Sequence, residues 1–197
     1  MEEVVDGIVH WAAVHPHTGL LSHSAFVLES GTLIDPMLPD DGLDWFDAHR
    51  PERALLTNRH HLRGAAAFAE RFGCSIHCHP AGLHEFAGGG PHVEPLEPVA
   101  GIAVHVHGAR TPEEVALRVA AGPGALALAD SVMRGRDGAL TFFSDSLLGD
   151  DPEAVKRGIR EGLRGILDAV EFDALLLAHG APRATGGRAE LEAFAAG

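Results

Sequence analysis

The residues with the most chemistry in this chain gather where three apolar runs end. Ala54-Leu55-Leu56 closes on Thr57, and Asn58-Arg59-His60-His61-Leu62-Arg63-Gly64 follows before small residues lead into Phe68. Asp130 ends the run Ala125-Leu126-Ala127-Leu128-Ala129, and His179 follows Ala174-Leu175-Leu176-Leu177-Ala178 into a Gly-Ala-Pro loop. Imidazoles and carboxylates can move protons or hold a divalent ion, whereas guanidiniums grip carboxylates and phosphates through paired hydrogen bonds. Arg59, Arg63 and Arg110 all fall in such loops. The same residue types also suit a solvated turn whose imidazoles only bond backbone carbonyls, and that alternative stays open.

Positioning these ends takes alternating strands and helices. Residues 7–14 and 24–28 read as strands around a His-Pro-His-Thr-Gly turn, and 31–34 as a third that Asp35-Pro36 stops. At such a strand end Asp35 reads as a turn-forming cap in preference to a carboxylate supporting the site. Asp44 to His49 predicts a short helix, 54–56 the central strand, and the residues after Gly64 a helix through Arg71. Strand 75–78, a short helix from Pro80, strands 101–107, 115–119 and 125–130, and strand 174–178 follow, with a closing helix over 190–196. The clearest helix runs from Pro152 to Val170, capped by Asp151, with Ile159, Leu163, Ile166, Leu167 and Val170 in one stripe. Strand and helix in alternation give an α/β class, and in open α/β sheets ligands bind beyond the carboxyl ends of the strands.

The 197 residues suit one domain spanning 1–197, and a net charge of −13 argues against nucleic acid and anionic membranes as partners. No apolar run is long enough for a membrane span and no signal peptide is evident, so the expectation is a cytoplasmic chain. Cys74 and Cys78 share a strand face with Ile76, which predicts buried thiols, although His77, His79 and His84 leave a soft metal cluster open. Nothing in the sequence sets an oligomeric state.

In order and spacing, the His-rich loop after a strand, Gly-x-x-Thr-Pro at 108–112, strand then Asp130, and strand then His179-Gly-x-Pro resemble the metallo-β-lactamase superfamily. The resemblance runs from about Gly7 to Phe194. It implies a four-layer αββα sandwich of the α/β (α+β) class, with metal at the rim of the two sheets. Against the family motif Thr-His-x-His-x-Asp-His, residues 57–63 keep the second His as His60. The first His is Asn58, the Asp is Leu62 and the last His is Arg63, while the His before Thr-Pro is Arg110. His60, Asp130 and His179 remain of the implied ligand set.

Two arginines at former ligand positions cannot ligate a metal. An ordinary dinuclear centre is therefore not expected, and a guanidinium facing Asp130 would neutralise the carboxylate a cation otherwise occupies. One expectation is a metal-free site that binds or acts on a small anionic ligand through His60, Asp130 and His179, with Asn58, Arg59, His61, Arg63 and Arg110 around it. In a hydrolytic variant His60 or His179 is the general base, oriented by Asp130. The other is a mononuclear hydrolase of an ester, thioester or lactone, with one Zn or Fe ion on His60, Asp130 and His179, and His61 as a fourth ligand.

Overall fold

The structure is a computed structural model that describes residues 1–197. One mixed sheet takes seven strands in chain order: β1 (Glu2–Val5), β2 (Ile8–Val14), β3 (Leu21–Val27), β4 (Thr32–Ile34), β5 (Arg53–Leu56), β6 (Ser75–Cys78) and β7 (Glu94–Pro95). Pairing is antiparallel from β1 to β4 and parallel from β4 to β7. The second sheet comprises β8 (Ile102–Val106), β9 (Val115–Val119) and β10 (Ala125–Leu128), joined by a last strand at Ala174–Leu177. Between them in sequence, β11 (Met133–Arg134) and β12 (Leu140–Thr141) make a small ribbon, so the last strand is β13. β13 lies parallel to β10 at the sheet edge.

Alternation along the strands explains the layers. In β5, Leu55 faces the second sheet while Ala54 and Leu56 face outward onto the helix α1 (Ala65–Phe72). In β13, Ala174 and Leu176 face the first sheet, and Leu175 and Leu177 face α2 (Pro152–Ala169) and α3 (Gly187–Ala196). Strands covered on both faces must be apolar throughout, which is why these runs carry no polar alternation. The result is the αββα sandwich. No helix is long and apolar enough to cross a membrane.

Helix α2 forms as its sequence requires. The Asp151 carboxylate accepts from the Ala154 amide at 2.9 Å, Pro152 occupies the first turn, and Ile159, Leu163, Ile166 and Leu167 are buried. The segments expected as short helices at 44–49 and 79–86 are single 3-10 stretches. α3 starts at Gly187, three residues before Glu190, and β1, β7 and the β11–β12 ribbon were not anticipated. Cys74 and Cys78 are buried free thiols on the face of Ile76. The soft cluster does not form: the rings of His77 and His84 bond the carbonyls of Pro95 and Ala81, and His79 caps the Ala81 amide.

Candidate functional site

β4 and β5 are parallel, as are β10 and β13, so their carboxyl ends meet at one end of the sandwich. They deliver Asp35, the 58–63 loop, Asp130 and His179 to one place. Asp130, 8% exposed, is the shared acceptor. His61 Nε2 and His179 Nε2 lie 3.1 and 3.2 Å from its Oδ1. Asn58 Nδ2 and Arg110 donate to its Oδ2 at 3.0 and 2.6 Å. A carboxylate has about four lone-pair sites; here Oδ2 takes two donors and Oδ1 takes His61, with the His179 ring nitrogen beside it.

His61 bridges two carboxylates. Its Nδ1 lies 2.9 Å from Asp35 Oδ2 while its Nε2 faces Asp130, so both ring nitrogens donate when it is protonated. Burial and the Arg63 guanidinium oppose the charge, but Asp35 and Asp130 outweigh them and raise its pKa to about 9. Burial alone would raise both aspartates, yet His61 and its neighbours bring Asp35 below the ordinary carboxylate value and Asp130 well below it. Asp35 is therefore part of this network and not the turn cap that its sequence position suggested. It also accepts from the Thr57 amide at 2.8 Å and the Thr57 hydroxyl at 2.5 Å. Its backbone sits at φ 47, a costly conformation for a non-glycine residue. The Asp35 carbonyl accepts from Ser24 and Arg63, and its amide bonds Leu55, which together hold that geometry.

Arg63 turns inward instead of outward. Its guanidinium donates to the carbonyls of His23, Asp35 and Ala178 and reaches His179 Nε2 at 3.4 Å. Gly64 makes this turn feasible, because a Cβ there would sit 2.9 Å from the Leu38 amide nitrogen. Arg110 lies with its guanidinium 5.1 Å over the Phe143 ring, which also meets His179 edge-on at 5.3 Å. Three cations, His61, Arg63 and Arg110, thus face the carboxylates of Asp35 and Asp130. Behind Asp130, the wholly buried Glu114 accepts from Ser131 at 2.5 Å, and burial pushes its pKa up to about 7.

The sequence motif placed His60 with Asp130 and His179, but the ring atoms that converge belong to His61. His61, Asp130 and His179 bring three potential ligand atoms within 4.8 Å of one another, and His60 is not among them. His60 is exposed on the cleft wall, where partial desolvation and Arg59 hold its pKa below the ordinary imidazole value. The cause is the backbone: Asn58 caps a 3-10 turn over Arg59–Leu62, and this turn swings His61 inward. Arg59 also leaves the predicted cluster and pairs with the buried Glu113. Asn58, Arg63 and Arg110 are brought to Asp130 or His179. Glu114, Ser131 and Phe143 gave no sequence signal, while Asp35, open at its strand end to either a cap or a supporting carboxylate, takes the second role.

Above this network lies a cleft of about 230 Å3, whose lining includes His60, His61, Arg63, Arg110, Phe143 and His179. No family model matches the chain, and no curated protein matches it. Solved structures do. TMB-1 superposes with a TM-score of 0.70 at 13% identity, covering 99% of this chain and 94% of that one. TTHA1623, solved in a di-iron-bound form, gives 0.61 at 23% identity, covering 93% and 91%. A B3 metallo-β-lactamase with an active-site glutamic acid gives 0.62 at 16%, covering 99% and 85%. These likenesses establish the fold.

Proposed function

We propose that this chain of metallo-β-lactamase fold is a metal-free, hydrolase-like member that binds a small anionic ligand in the cleft over Asp130. What supports this is the crowding of that carboxylate: three protein donors and the His179 ring nitrogen occupy the places a cation would need. The donor chemistry agrees. A protonated imidazole and two guanidiniums are not ligands, and His61 must give up its proton before either nitrogen could coordinate. The guanidiniums of Arg110 and Arg63 in the cleft favour an anion.

The competing reading is a mononuclear hydrolase with one divalent ion, Zn or Fe. It is favoured by the convergence of His61, Asp130 and His179 within 4.8 Å. It requires His61 to deprotonate and the donors around Asp130 to withdraw.

The deciding experiment is elemental analysis of untagged protein dialysed against Zn²⁺, Fe²⁺ or Mn²⁺, with thermal melts in rising phosphate and acetate alongside. We expect well under one ion per chain and an anion-dependent rise in Tm that Arg110→Gln removes. One ion per chain, lost in His61→Ala, would overturn the metal-free reading.

A further inference from the structure

The cleft wall has a chemistry that its floor does not explain. Seven large apolar side chains are exposed in the whole chain, and two of them, Leu20 at 45% and Leu147 at 55%, line this cleft. Val14 and Leu21, paired across β2 and β3 and 61% and 54% exposed, continue the strip beside Leu20. An exposed apolar strip of this kind marks a contact surface. Phe143 closes the deeper wall beneath the Arg110 guanidinium. Apart from its bond to Asp130, Arg110 makes no hydrogen bond to the protein, so its remaining N–H groups are free to receive an oxyanion.

We infer that the cleft takes an amphiphilic monocarboxylate, with its head on Arg110 and its apolar body along Leu20 and Leu147. The inference rests on the anion-binding reading of the same cleft and adds the ligand's class. Arg110 sets the head: its planar guanidinium, one N–H already on Asp130, has N–H groups left for the two oxygens of a carboxylate. The size of the cleft selects the body. About 230 Å3 is below the usual range for drug-sized ligands, so the tail is a short chain or a single ring. Each methylene moved from water to such a wall tightens binding by roughly fourfold when fully buried.

Calorimetric titration with acetate, hexanoate, 1-hexanol, inorganic phosphate and hexyl phosphate tests this. Hexanoate should bind roughly tenfold or more tighter than acetate, and hexanol should not compete. Leu147→Ser with Leu20→Ser should erase the difference between hexanoate and acetate, and Arg110→Gln should weaken both. Equal affinity for acetate and hexanoate would overturn the amphiphile and leave the anion site standing. Hexanol binding as tightly as hexanoate would show that charge plays no part, and preference for hexyl phosphate would overturn the carboxylate head. No response to any anion would sink both this inference and the function beneath it.

Discussion

Asp130 decides the electrostatics of the site because it is buried and touched by three donors and the His179 ring, from three loops. Removing one partner of a buried ion pair costs about 3–5 kcal/mol, since the other charges are left uncompensated. Asp130→Ala should lower unfolding free energy by about that much in urea titrations, and an unchanged midpoint would refute the pairing. His61 sets the pH response. Its folded pKa of about 9 lies above the free value of 6.5, so its contribution is complete below 6.5 and is lost as pH rises through 9. Glu114 also loses stabilisation as pH rises, but its window closes at about 7. Melting temperature should therefore fall between pH 7 and 9 in the native chain and stay flatter in His61→Gln. The buried His23 and His107 act in the opposite direction, because burial first of all lowers both to about 4 and stability drains as pH falls from 6.5. Little of this was legible at single-residue resolution. Reading the motif position by position assigns His60 and passes over His61, because sequence spacing does not reveal that residues 59–62 coil into a 3-10 turn.

At the scale of elements the sequence was far more informative. The apolar runs at 54–56, 125–128 and 174–177 are strands with both faces covered, and their composition leaves few alternatives once helices alternate with them. Helix α2 was readable to within a residue, because its cap, its proline and its stripe all agree. Asp151→Ala should destabilise the protein by about 1 kcal/mol, measurable as a shifted urea midpoint with unchanged slope, and no shift would mean that water replaces the cap. The elements that escaped are those with little pattern to read. β7, β11 and β12 span two residues each, and β1 is a four-residue edge strand with two exposed glutamates. Such segments are strands only because a neighbour pairs with them. The ribbon matters to the site even so, since the Arg134 amide donates to the His179 carbonyl at 2.9 Å.

For the whole molecule, the order of strand ends was enough to indicate the fold. The solved structures share that fold at 11–23% identity. Fold and function part here, because the same scaffold can present a carboxylate to a metal or to its own cations. The bonds between the two sheets also differ along the sandwich. Most of the shared layer is aliphatic, but at the cleft end the sheets are joined by His23 N to Ala178 O, Val115 N to Thr57 O, and the Asp130 ion pairs. The sandwich is thus built like a clasp, with grease for its hinge and charge for its catch. Acid releases the catch: as pH falls below the ordinary aspartate value of 3.8, Asp35 and Asp130 take up protons and their partners are freed. Amide exchange followed in that range should show Thr57 and Val115 losing protection while Leu126 and Leu176 keep theirs. Simultaneous loss at all four would mean that the two layers part as a single unit.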